Sequence, residues 1–207
     1  MEVAWTVGPG GGQAGVMTRL AVYCGSSSGT SEAFRQAAHD LGTELGGRGI
    51  ELVYGGGNVG LMGVVAEAVL AGGGAVTGVI TRFLVEKEVA HHGLTNLEVV
   101  GSMHERKARM AAQADGVIAL PGGFGTLDEV FEILTWSQLG LVTLPVVFLD
   151  VAGYWSPLLD ALASMSAAGF VRTEHLALAR RATTPSEAVD RALEPLPGPV
   201  HKWVDRA

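Results

Sequence analysis

From Arg19 onward the chain alternates between short β-rich runs and longer segments of helical periodicity. The β-rich runs fall at Leu20–Tyr23, Glu51–Tyr54, Ala75–Ile80, Leu97–Val100, Gly116–Leu120, Pro145–Leu149 and Leu176–Ala179. Helical patterns fall at Ser31–Leu45, Gly60–Ala71, Ser102–Ala114, Thr126–Leu139, Pro157–Ala168 and Pro185–Leu193. Strands separated by helices of this length form parallel sheets, because each strand must be carried back over one face before the next can pair. The runs Val117-Ile118-Ala119-Leu120 and Val146-Val147-Phe148-Leu149 are apolar throughout, as strands covered on both faces require.

The pattern predicts an α/β fold: a doubly wound, Rossmann-like parallel sheet of about seven strands with helices on both faces. No repeat or linker divides it, so residues 17–207 are expected to form one α/β domain. Residues 1–16 are Gly-rich and aperiodic, and they are expected to be a disordered tail or leader, with Met17 as the native start. Helix starts carry the capping-box pattern at Ser102-x-x-Glu105, Thr126-x-x-Glu129 and Thr184-Pro185-x-Glu187. The least regular stretch is Thr81–Asn96, and a long loop in such a sheet often belongs to the site.

Composition narrows the function classes. The net charge of −7 argues against a nucleic-acid or anionic-membrane binder, and no apolar run is long enough to span a bilayer. The single cysteine, Cys24, forms no intrachain disulfide, which points to a reducing, cytoplasmic setting. Only 17% of residues are charged, so the chain is expected either to expose little surface for its size or to bury some of it in a partner.

Glycine is in excess, with 30 residues of 207, and it is clustered. Gly46-Gly47 and Gly72-Gly73-Gly74 sit where helices should end. Three other clusters follow strands: Cys24–Gly29, Gly55–Gly63 and Pro121–Thr126. Ligands of open α/β sheets bind beyond the carboxyl ends of the strands. There a helix N-terminus offers free N–H donors, and glycine lets an anion approach the backbone. Tight turns alone would also explain any one cluster. Three on one edge point to an anionic ligand, with Gly25, Gly55–Gly57, Gly122, Gly123 and Gly125 as the informative set.

Alternatives were tested on spacing. Gly55-x-Gly57-x-x-Gly60 matches the dinucleotide fingerprint, but it follows the second strand and no acid ends the next one, so NAD is disfavoured. There is no phosphate-loop motif G-x-x-x-x-G-K-[ST]. His104-Glu105 lacks the second histidine of a zinc-protease site, and one cysteine does not make a structural zinc site.

Two charged residues break the pattern. Met103, Arg106, Met110 and Ala114 share one helix face, and Arg106 stands in the middle of a stripe that should be apolar, with Lys107 beside it. A cation there either needs a counter-charge or anionic ligand, or snorkels to the surface. Glu129 either closes the Thr126 capping box or stands at the binding edge as a carboxylate able to do acid–base work.

Pro121-Gly122-Gly123-Phe124-Gly125-Thr126-Leu127-Asp128-Glu129 resembles the PGGxGTxxE motif of the LONELY GUY family, long labelled "lysine decarboxylase-like". Met103–Lys107, Cys24–Ser28 and Tyr54–Gly57 resemble its other signatures, in order. The resemblance spans about residues 18–195. It implies cleavage of the N-glycosidic bond of cytokinin riboside 5′-monophosphates, or of AMP, to free base and ribose 5-phosphate. It also implies a homodimer or larger homo-oligomer, and no metal or cofactor. By position in those motifs, Arg106 and Glu129 are assigned to catalysis. Gly25, Ser26, Gly56, Gly57, Glu88, Lys107, Gly122, Gly123, Phe124, Gly125, Thr126, Leu127, Asp128 and Thr135 are assigned to the substrate. Met62 and Met103 are either core residues or walls of the base pocket. The alternative is a non-catalytic nucleotide or molybdenum-cofactor binding protein of the same superfamily. A DNA-processing module of similar fold is disfavoured by the acidic charge.

Overall fold

The computed structural model describes residues 17–87 and 90–196; the expected leader, residues 1–16, and Glu88 lie outside the described residues. The seven strands are β1 (Arg19–Tyr23), β2 (Glu51–Tyr54), β3 (Val76–Thr81), β4 (Asn96–Val100), β5 (Gly116–Ala119), β6 (Val146–Leu149) and β7 (Ala179–Ala182). The helices are α1 (Glu32–Gly47), α2 (Gly60–Ala71), α3 (Arg82–Glu86), α4 (Met103–Gln113), α5 (Phe124–Gln138), α6 (Ser156–Ala167), α7 (Thr173–Leu176) and α8 (Pro185–Leu193), with a 3-10 turn at Val151–Gly153.

All strands are parallel, in the order β4-β3-β2-β1-β5-β6-β7. The strand order reverses between β1 and β5. That reversal opens the crevice in which ligands of such folds sit. Alternation along the strands divides the core into two layers. Leu20, Val22, Leu52, Tyr54, Ile118 and Leu120 pack under α1, α2 and α8. Ala21, Tyr23, Val53, Val117, Ala119 and Phe148 face Met110 of α4, Val130 and Ile133 of α5, and Trp155. The sheet is therefore covered on both faces, as its apolar strands require.

Three expectations are corrected. The seventh strand is not Leu176–Ala179 but Ala179–Ala182, and Thr173–Leu176 is a helical turn. The apolar run misleads because β7 is an edge strand with room for charge. Arg180 reaches the carbonyls of Arg191 and Glu194, and Arg181 pairs with Asp150. The irregular stretch after β3 begins with a short helix, α3, whose N-cap Thr81 hydroxyl accepts from the Leu84 amide. The Thr126 capping box does not form. α5 starts two residues earlier, at Phe124, with Gly123 as N-cap and the Gly123 carbonyl accepting from the Leu127 amide. The Ser102 and Thr184 boxes do form: each hydroxyl accepts from the amide three residues on, and Glu105 and Glu187 reach back to the amides of Gly101 and Thr183.

The three glycine loops are interlocked. Gly25 donates to the Pro121 carbonyl at 3.0 Å, and Leu61 donates to the Gly25 carbonyl at 3.1 Å. Gly60 has φ +61°, and any Cβ there would overlap the backbone of Ser26. Only glycine satisfies both demands at this crossing.

Candidate active site

A cavity of about 290 Å³ lies at the β1–β5 crevice. Its walls come from the end of β1 (Val22, Tyr23, Cys24), the loop after it (Gly25, Ser26), the β2 loop and α2 (Gly55, Met62), α4 (Met103, Arg106) and the start of α5 with Gly123. From α5 and its N-cap come Gly123, Phe124, Gly125, Thr126, Asp128 and Glu129. The amides of Phe124, Gly125 and Thr126 belong to the first turn of α5, where N–H groups have no acceptor within the helix and the dipole end is positive. This is a seat for an anion.

The same cavity is lined by a buried ion pair. Arg106 and Glu129 are 6% and 9% exposed, so neither snorkels. The Arg106 Nη1 donates to Glu129 Oε1 at 2.7 Å, and its Nε donates to the Val79 carbonyl at 2.9 Å. The counter-charge demanded by a cation on an apolar face is therefore a carboxylate from the next helix. Gly55 makes room for it, since a Cβ there would overlap the Arg106 guanidinium. This glycine serves a side chain rather than an anion. Burial pushes the Glu129 carboxyl above the ordinary glutamate range, and Arg106 pulls it back only in part. Asp128 adds to the rise, and Lys107 opposes it. Burial likewise raises the Tyr23 phenol, with Glu129 adding and Arg106 opposing.

The expected site residues divide. Arg106, Glu129, Gly25, Ser26, Gly123, Phe124, Gly125, Thr126 and Asp128 line the cavity, as do both methionines, Met62 and Met103. Gly122 lies behind it, packed against the Thr126 side chain and lining an adjacent hollow. Other expected residues lie elsewhere. Gly56 and Gly57 face the β3–β4 side, where the Gly56 carbonyl accepts from the His91 amide and Gly57 bridges Ala90. The Lys107 ammonium is 3.0 Å from Asp128 and 3.2 Å from Glu132, between α4 and α5. Leu127 and Thr135 open onto the outer side of α5, and the Thr135 hydroxyl is spent on the Phe131 carbonyl. Gly55 was legible as part of a glycine cluster but not as the room that Arg106 needs, and no sequence signal marked Val22 and Tyr23 as walls.

The geometry defines a doubly wound α/β protein with a helix N-terminus and a buried Arg–Glu pair lining one cavity at its topological switch point. A family profile described as "Possible lysine decarboxylase" matches residues 62–192. Two relatives from Oryza sativa subsp. japonica are named probable cytokinin riboside 5′-monophosphate phosphoribohydrolases. One is 50% identical over 156 residues, covering 75% of this chain and 70% of the relative. The other is 52% identical over 157 residues, covering 76% and 69%. A cytokinin riboside 5′-monophosphate phosphoribohydrolase of Arabidopsis thaliana is 49% identical over 153 residues, covering 74% and 70%. The chain belongs to the LONELY GUY family that its motifs resemble. Among solved structures, the molybdenum cofactor binding protein of Rippkaea orientalis superimposes with a TM-score of 0.65 at 20% identity, over 86% of this chain and 96% of that one. The molybdenum cofactor carrier protein of Chlamydomonas reinhardtii does so with 0.65 at 21%, over 84% and 94%. These two share the fold.

Proposed function

We propose that the protein hydrolyses the N-glycosidic bond of cytokinin riboside 5′-monophosphates, and of AMP, to free base and ribose 5-phosphate. One observation carries the reading: a buried Arg106–Glu129 pair lines one cavity with the first turn of α5, in a chain about half identical to named phosphoribohydrolases. The substrate phosphate binds the amides of Gly123–Thr126 and the Thr126 hydroxyl. The ribose then lies toward Glu129, and the base toward Met62 and Met103.

Cleavage leaves the electrons of the C–N bond with the base, which takes up one proton, and passes through an oxocarbenium-like sugar, to which water adds at the anomeric carbon with loss of one proton. A carboxylate beside that carbon stabilises the positive charge, and Glu129 also holds the ribose hydroxyls or takes the proton of the incoming water. Arginine stays protonated in proteins, so Arg106 holds and orients Glu129 and shapes the field rather than giving a proton. Lys107, Asp128 and Glu132 support the α4–α5 contact from which both catalytic side chains project. Glu88, Gly56, Gly57, Leu127 and Thr135 remain assigned to the substrate by motif position alone.

We place the reaction in the cytoplasm, on the ground of the single unpaired Cys24. No helix among the described residues is long and apolar enough to cross a membrane. We also propose a homodimer or larger homo-oligomer, supported by exposed Phe124, Met103 and Leu141, of which Phe124 is 93% exposed.

The test is product analysis with AMP and isopentenyladenosine monophosphate. Free base and ribose 5-phosphate in equal amounts support the reading. Tight molybdenum-cofactor binding by calorimetry with no base released from either nucleotide would replace it with a carrier role.

A further inference from the structure

The turn after β6 is built more firmly than a connection needs. Asp150 is buried and accepts from the Trp155 amide at 2.6 Å and the Ser156 hydroxyl at 2.7 Å, and it pairs with Arg181 at 2.7 Å. Within the turn Ala152 holds φ +52°, a left-handed conformation that a non-glycine residue keeps only when its surroundings impose it. The turn delivers two consecutive aromatic side chains to β5 and the loop after it. The Trp155 indole donates to the Ala119 carbonyl at 3.2 Å, and the Tyr154 hydroxyl donates to the Gly122 carbonyl at 2.6 Å. The Tyr154 ring is set edge-on between Phe34 and Trp155, at 5.5 and 4.8 Å.

Gly122 and Gly123 flank the peptide unit at which the chain turns into α5. Rotation of a peptide plane is least hindered between two glycines. In a trans peptide the carbonyl of one residue and the N–H of the next point in opposite directions. A hydroxyl that fixes the Gly122 carbonyl on the α1 side therefore turns the Gly123 N–H the other way; Gly123 lines both the hollow beside Tyr154 and the cavity of Arg106 and Glu129. Donation to that carbonyl also polarises the peptide and strengthens its N–H as a donor.

We propose that Tyr154 is a positioning residue for the phosphate: it clamps the Gly122–Gly123 peptide so that the Gly123 N–H is presented to the anion. The inference rests on the phosphate seat proposed above. Tyr154 does not line the cavity that holds the ion pair, so it acts through the loop and not on the reacting bond. Its contribution is binding shared by ground state and transition state, which appears in KM and leaves kcat unchanged.

The experiment compares Tyr154→Phe with the wild-type chain in AMP hydrolysis, in inhibition by ribose 5-phosphate and by free adenine, and in thermal unfolding. Phenylalanine keeps the ring packing and removes only the hydroxyl. KM for AMP and Ki for ribose 5-phosphate are expected to rise together by about three- to tenfold, the equivalent of one hydrogen bond. The kcat, the Ki for adenine and the unfolding midpoint stay as in wild type. An unchanged Ki for ribose 5-phosphate, an equal weakening of adenine, or a lowered midpoint with the same loss throughout overturns the proposal. If the wild-type chain neither releases base nor binds ribose 5-phosphate, the phosphate seat itself is wrong. If it does both and Tyr154→Phe matches it, only the role of Tyr154 fails.

Discussion

At the scale of the residue, the site turns on where a buried carboxylate sits in its titration. Burial holds Glu129 above the ordinary glutamate range, and Lys107 is one of the charges that oppose this. If Glu129 acts as a carboxylate, activity falls as pH drops through its raised value, so the acid limb of kcat/KM lies above ordinary glutamate titration, about 4.3. Lys107→Met removes an opposing cation and frees Asp128 and Glu132, two negative neighbours, so the limb moves to higher pH. A pH–rate profile checks this; a limb that stays or moves down contradicts it. Arg106 was legible as a residue needing an explanation, because a cation interrupts an apolar helix face. Its partner was not, since Glu129 fitted a capping box equally well, and only the start of α5 at Phe124 decides between them. Lys107, assigned to the substrate by motif position, has its ammonium held by Asp128 and Glu132. Spacing along α4 shows which face a residue occupies and not which neighbouring helix supplies its partner.

At the scale of the element, strands and glycine turns place these side chains. Strands buried on both faces announce themselves as apolar runs, so β1, β2, β5 and β6 lie within a residue or so of their expected bounds. The edge strand β7 does not, because one of its sides is free for Arg180 and Arg181. Glycine clusters marked the right edge of the sheet, but their separate duties are long-range facts. Gly55 accommodates the Arg106 guanidinium, and Gly60 crosses Ser26. Gly55→Ala forces the guanidinium away from the Val79 carbonyl and Glu129 that fix it. Displacement of about 1 Å at a catalytic group can cost on the order of a hundredfold in rate. Steady-state assay of Gly55→Ala is therefore expected to show at least a tenfold loss of kcat, with overpacking costing about 1–3 kcal/mol in a denaturation curve. Wild-type kcat in this variant would show that the guanidinium position does not matter.

At the scale of the molecule, the reversal of strand order between β1 and β5 brings together loops that are far apart in sequence. It sets Arg106 of α4 beside Glu129 of α5, and the hydroxyl of Tyr154 behind the loop that begins α5. The low charge content, the exposed Phe124 and Met103 at the cavity, and the exposed Leu141 after α5 support self-association. Light scattering should give a mass of at least twice the 21.4 kDa chain at micromolar concentration, and a monomer mass would contradict the proposed homo-oligomer.

The central claim is that Glu129 makes this cavity catalytic. It is tested most directly by the rate of base release from isopentenyladenosine monophosphate by wild type and Glu129→Gln, with folding of both checked by thermal unfolding. Loss of one preorganised electrostatic group at a transition state costs about a hundred- to a thousandfold in kcat. A fall of that size is expected, with the variant still folded and still binding ribose 5-phosphate. Equal rates for the two proteins, or no base released by wild type, would contradict it.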